Sequence, residues 1–236
     1  MTPLVLLPGM MCDARLFGPQ IAALSGRIEV MVPTLTAHDT MAGLAKDVLA
    51  TAPPKFALAG LSMGGIVAME MLAQAPERIS RLALMDTNPK AEAPEVQDRR
   101  LLHMVAVEGG QLDRIMQEEM KPNYLADGPN RAAILDLCMD MARKLGPEAF
   151  IRQSLALRDR EDRQEVLRQA DLPALVLCGR HDRLCPVHRH TLMHDLLKGS
   201  ELFIIEDAGH LPTLERPAET TAALVRWLFE IGDDRV

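Results

Sequence analysis

Apolar positions along this chain follow two alternating patterns. Short, nearly continuous apolar runs recur at Leu4–Leu7, Val30–Val32, Phe56–Ala59, Leu82–Met85, Ala174–Cys178 and Leu202–Ile205. Runs this short, with so few polar interruptions, predict strands buried on both faces, as in a parallel sheet covered by helices. Between them lie helical stretches at Gly18–Leu24, Met41–Thr51, Ile66–Ala75 and His188–Leu197. A last helix starts near Pro217, whose fixed φ suits a first helical position. Strands alternating with helices require crossover connections and therefore a parallel sheet.

The alternation stops after the fourth run. From about residue 89 to 170 only helical patterns follow: Val96–Val107, Leu112–Met120, Asn130–Leu145, Glu148–Leu157 and Arg160–Gln169. Pro122, Gly128-Pro129 and Gly146-Pro147 punctuate them. A helical insertion between the fourth and fifth strands accounts for this break. The expected division is a core built from residues 1–88 and 159–236, with a cap at 89–158.

Composition narrows the picture. The 236 residues can bury one core without disulfide or metal staples. A net charge of −7 without any long Lys/Arg run argues against a nucleic-acid partner. No apolar run reaches transmembrane length, and no basic region precedes the short run at the start. Neither membrane association nor a signal peptide is expected, and the expected location is cytoplasmic. Cys12, Cys138, Cys178 and Cys185 have no paired spacing, so reduced thiols are expected.

The chemistry is concentrated after the third run. Gly60-Leu61-Ser62-Met63-Gly64 fits G-x-S-x-G, with a strand before it and a helix after it. That context is what a nucleophile elbow needs, a strained turn that exposes the serine hydroxyl. Small residues at 60, 64 and 65 let strand and helix approach closely. A serine hydroxyl needs a base, and the base needs an orienting carboxylate. In a doubly wound sheet both should follow strand C-termini. Asp182 follows the fifth strand and His210 the sixth, giving the order Ser…Asp…His. Asp86, at the end of the fourth strand, is the rival acid. The competing reading makes Asp182 a turn residue and His210 a loop histidine bonded to backbone. An oxyanion hole needs two backbone donors. Met63, after the nucleophile, offers one; Met10 in the Pro8–Asp13 loop is the choice for the other, with Met11 its near rival.

These pieces carry a resemblance. Leu6-Leu7-Pro8-Gly9, the elbow with Gly65, Gly179-Arg180-His181-Asp182-Arg183-Leu184-Cys185-Pro186, and Gly209-His210 with Glu215 and Pro217 resemble the α/β-hydrolase-fold serine hydrolases, specifically small bacterial esterase- or lactonase-like members with a helical cap. The resemblance covers nearly the whole chain, although the cap matches only in position and helical character. It implies the α/β-hydrolase fold with about six parallel strands, Ser62 as nucleophile, His210 as base, Asp182 as orienting acid, and Met10 and Met63 as oxyanion donors. Two departures stand out. Pro8 occupies a position where many members have His, and the first strand is expected to correspond to the family's third, without the leading antiparallel hairpin.

The expected reaction is cleavage of a small or medium carboxylic ester or lactone through an acyl-enzyme, with no cofactor and no metal. Thioester or carbon–carbon bond hydrolysis uses the same triad, and a weakly catalytic ligand receptor uses the same fold. A metal site at His181, Cys185, His188, His190 and His194 is the contrasting class; it lacks an H-E-x-x-H pattern. The expected partner is a small acyl substrate, and a homodimer is left open. Candidate substrate contacts are Met11, Met116, Met120, Tyr124 and Met139, against the reading that methionines on amphipathic helices are core. Arg143 and Lys144 could hold a carboxylate, but exposed helical cations are commonplace.

Overall fold

A computed structural model describes residues 2–230. Six strands form one sheet: β1 (Leu4–Leu7), β2 (Val30–Met31), β3 (Phe56–Leu61), β4 (Ile79–Met85), β5 (Ala174–Gly179) and β6 (Glu201–Ile205). Their order is β2-β1-β3-β4-β5-β6, and every pairing is parallel. Alternation along each strand feeds two cores. Val5, Leu7, Leu58, Leu82, Leu84 and Val176 face one side; Leu4, Leu6, Ala57, Ala59, Ala83 and Leu177 face the other. The first side is covered by α2 (Met41–Thr51), α3 (Met63–Gln74), α7 (Gln164–Gln169) and α8 (Val187–Leu196). The second is covered by α1 (Gly18–Leu24) and α10 (Pro217–Phe229), which pack against each other.

Between β4 and β5 the described chain has only helices and turns. α4 (Pro94–Glu108) comes first, then one turn of α5 (Leu112–Arg114) that widens into a π-helical turn at Ile115–Met120. α6 (Arg131–Arg158) is two helices joined at Gly146, whose φ of 81° interrupts the helical backbone just before Pro147. α9 (Pro212–Glu215) precedes α10. No helix among the described residues is long and apolar enough to cross a membrane.

The differences from the sequence expectation are local. α3 begins at Met63 rather than Ile66, because the backbone reversal at Ser62 launches the helix at once and Gly64-Gly65 hide its apolar period. The helix expected over Arg160–Gln169 begins only at Gln164. Residues 160–163 are pinned to the start of the insertion instead: the Arg163 N–H donates to Pro89 O, and Arg160 Nε donates to Lys90 O. The Ala14–Phe17 turn was not anticipated; Asp13 stabilises it by accepting from the Arg15 N–H.

Strand order also locates a crevice. From β1 the chain moves outward to β2, then returns to place β3 on the other side of β1. Loops leaving β1 and β3 therefore diverge to opposite faces, and a crevice opens beyond the strand ends. Those two loops carry Gly9-Met10-Met11 and Ser62.

Candidate active site

Ser62 ends β3 and starts α3 with φ 56° and ψ −117°. Such a conformation is strained for a non-glycine residue and needs support from its surroundings. Here the Ser62 N–H donates to Met85 O at 2.9 Å, and Thr87 Oγ1 donates to Ser62 O at 2.7 Å. The turn also needs bare backbone. A Cβ on Gly64 would lie 2.0 Å from Leu7 O, and one on Gly60 would lie 2.3 Å from Gly64 O. G-x-S-x-G is thus a steric requirement at this crossing of β1, β3 and α3.

His210 Nε2 lies 2.9 Å from Ser62 Oγ, and its Nδ1 lies 2.8 Å from Asp182 Oδ2. The second oxygen of Asp182, Oδ1, accepts from the N–H groups of Leu184 and Cys185 at 2.8 and 2.9 Å. Burial works against the charged form of Asp182, but His210 and those two donors outweigh it and hold the carboxyl below the usual range. An ionised carboxylate only accepts, so Nδ1 carries the ring proton and Nε2 is free to accept from the serine hydroxyl. Asp86, the rival acid, makes no bond to His210. It is fully buried, and its Oδ1 accepts from the Gly179 N–H at 2.9 Å. Burial first, then repulsion from Asp182, pushes its carboxyl well above the ordinary range. Of these two neighbouring acids, Asp182 holds the charge.

The loop after β1 separates its two methionines. Cys12 N–H donates to Gly9 O, closing a turn with Met11 at φ 56°. The Met11 N–H donates to Gln153 Oε1 at 2.9 Å, while Gln153 Nε2 donates to Leu35 O at 2.8 Å. Met11 is therefore committed elsewhere. Met63 opens α3, so its N–H has no acceptor within the helix. Glu215 ties the His210 loop to the insertion, accepting from the N–H groups of Gly209, Leu211 and Ala126. The His210 N–H donates to Tyr124 O at 2.6 Å.

A cavity of about 580 Å³ opens above Ser62 and His210, between the strand ends and the insertion. Met10, Met120 and Tyr124 line it. Met11, Met116 and Met139, expected as substrate contacts, do not; they are at most 5% exposed and belong to the apolar core. Met116 and Met139 lie on helical segments whose apolar side faces inward, and Met11, in the turn after β1, turns its side chain into the same core. Arg143 pairs with Asp113 on the surface.

The five residues considered as a metal cluster do not gather. His190 Nε2 accepts from the Thr87 N–H, and His194 Nδ1 bonds Ser200 Oγ. Among the described residues the group with ligand-like spacing is Asp182, Cys185 and His210, two of which already bond each other. Sequence reasoning missed Gln153, Glu92, Arg100 and Arg160. A lone Gln or Arg in a helical pattern gives no signal until its partners are known.

A model of the alpha/beta hydrolase family matches residues 4–224. The chain is 29% identical over 178 residues to the pimeloyl-(acyl-carrier protein) methyl ester esterase of Neisseria meningitidis serogroup B (strain H44/76), an alignment spanning 73% of this chain and 68% of that protein. An esterase from Thermogutta terrifontis, solved with malate bound, superposes with a TM-score of 0.89 at 28% identity, covering 97% of this chain and 89% of that one. The enol-lactonase from Burkholderia xenovorans LB400 superposes with a TM-score of 0.86 at 23% identity, over 98% and 92% of the two chains, a likeness of fold.

Proposed function

The chain belongs to the alpha/beta hydrolase family, and from that premise we propose that it is a serine hydrolase that cleaves a small or medium carboxylic ester or lactone through an acyl-enzyme. The observation that carries this reading is the unbroken chain of hydrogen bonds from Ser62 Oγ through His210 to Asp182. His210 Nε2 takes the Ser62 proton as Oγ attacks the carbonyl carbon, and the charged Asp182 stabilises the imidazolium that forms. The N–H groups of Met10 and Met63 receive the developing oxyanion, which supplies the largest single stabilisation in such sites. His210 then returns the proton to the leaving oxygen. Water, activated by the same imidazole, releases the acid and restores Ser62.

The helices between β4 and β5 act as the cap over this site and set acyl specificity, chiefly through Met120 and Tyr124 on the cavity wall. Enclosure also limits water around the oxyanion. A fluorophosphonate probe tests the nucleophile directly. The wild type should be labelled stoichiometrically and Ser62→Ala not at all; equal labelling of the variant would place the nucleophile elsewhere. A panel of acyl esters, lactones and acyl thioesters then separates the reactions open to this triad.

A further inference from the structure

The cavity wall is cationic, although the chain as a whole carries a net charge of −7. Arg99, Arg100, Arg160, Arg183 and Arg189 line it, and Glu92 and Glu119 are its only carboxylates among the described residues. Glu119 is already engaged by His103 and Arg114. Glu92 is shared by two cations. Its Oε2 accepts from Arg100 Nε at 2.9 Å and from Arg160 Nη1 at 2.7 Å, and its Oε1 accepts from Arg160 Nη2 at 2.9 Å. All three groups are largely buried, with side-chain exposures of 8% for Glu92, 5% for Arg160 and 19% for Arg100. Two guanidiniums against one carboxylate leave one positive charge uncompensated in the wall.

That excess is directed. Arg160 places two further donors on Lys90 O and Leu157 O. Arg100 turns Nε and Nη2 to Glu92 Oε2, at 2.9 and 2.8 Å, but its Nη1 faces Met10 Sδ at 3.8 Å, and a thioether is a weak acceptor. A buried cation whose Nη1 meets only sulfur has room for a stronger partner there, and a carboxylate would accept a charge-assisted hydrogen bond from it. The position is specific as well. Met10 belongs to the loop facing Ser62, and Arg100 and Ser62 line the same cavity, so an anion at Arg100 would share that cavity with the reacting carbonyl. Arg183, exposed at the rim, extends the positive field outward and favours entry of anions.

We infer that Arg100, backed by Arg160 and Glu92, is an anion subsite, and that the substrate is an acyl ester or lactone bearing a second, free carboxylate on its acyl chain. This rests on the serine hydrolase reading above and specifies its substrate class. The test compares monomethyl adipate with the same ester whose far carboxylate is replaced by a primary amide. Expected is a kcat/KM at least about tenfold higher for the acid, carried mainly by KM and shrinking as ionic strength rises. Arg100→Gln should bring the ratio close to one. If that variant does not fold, Arg183→Gln at the open rim should lower the ratio partially. Adipate should also slow fluorophosphonate labelling of Ser62 at concentrations at least about tenfold below those of adipamide, a readout independent of turnover. Equal kcat/KM for both esters, or equal protection by adipate and adipamide where neither ester turns over, overturns the subsite while leaving the hydrolase reading intact. Failure of the probe to label the wild type overturns the hydrolase reading itself.

Discussion

At the scale of single residues, two adjacent carboxyls divide their labour through their surroundings. Asp182 is held ionised by His210 and two backbone donors, and Asp86 is driven toward its neutral form by burial and by Asp182 itself. Opposite sensitivities to amidation follow. Asp182→Asn should lower kcat by about a hundredfold or more, as should His210→Ala, because the imidazole loses its tautomer or disappears. Asp86→Asn should keep most activity, since an amide reproduces a neutral acid in size. Steady-state kinetics on the three variants, with circular dichroism to verify folding, decides the assignment; the reverse pattern would make Asp86 the triad acid. His190 adds a pH dependence. Burial lowers its pKa from an ordinary 6.5 to about 4, and its Nε2 accepts the Thr87 N–H, which requires the neutral ring. Its folded value lies below its unfolded value, so the unfolded chain binds more protons between these limits. Stability is fully present above about pH 6.5 and falls as pH drops toward 4, by up to about 3 kcal/mol from this group. The melting temperature should therefore drop between pH 7 and 5, and His190→Gln should flatten that decline. An unchanged slope in the variant would assign the acid sensitivity to other groups.

At the scale of elements, the chain announced its architecture well. β1, α1 and α2 fall where the patterns predict, because continuous apolar runs and a period near 3.6 are direct consequences of burial. The hydrogen-bonded set of Ser62, His210 and Asp182 was legible for a related reason: doubly wound topology puts such residues after strand ends, which restricts the search to a few loops. Two kinds of information were not legible. Pairings across long separations, such as Gln153 with Met11 or Arg160 with Glu92, leave no local trace. Nor does sequence show which apolar residues of an amphipathic helix meet a cavity and which meet the core. The structure divides the candidates, with Met120 and Tyr124 on the cavity wall and Met116 and Met139 inside the core. Substituting Met116 or Met139 by Ala should lower stability by about 2–5 kcal/mol with little change in acyl preference. Substituting Met120 or Tyr124 should shift the preferred acyl chain. Melting temperatures beside a substrate panel would read both effects. A selectivity change confined to Met116 and Met139 would reverse the division.

At the scale of the whole molecule, the insertion holds both arms of the reacting site. Gln153 of α6 fixes the loop that carries Met10, and the Tyr124 carbonyl fixes the loop that carries His210. The cavity lies between insertion and sheet, so this boundary is less densely packed than the layers beneath it, and sparsely packed units open first on heating. The chain supplies an internal reporter for the other region. Trp227, its only tryptophan, is fully buried in α10, which packs on α1 and on β4, β5 and β6. Indole fluorescence thus follows the sheet, whereas ester turnover follows the seating of the insertion. On a temperature ramp, activity should vanish several degrees before the Trp227 emission shifts, and brief excursions into that gap should be reversible on cooling. Coincident loss of both signals would mean that insertion and sheet melt as one unit. Where activity fails first, the useful lifetime of such a catalyst is set at the Tyr124 and Gln153 tethers rather than in the sheet, and those tethers are where stabilising substitutions belong.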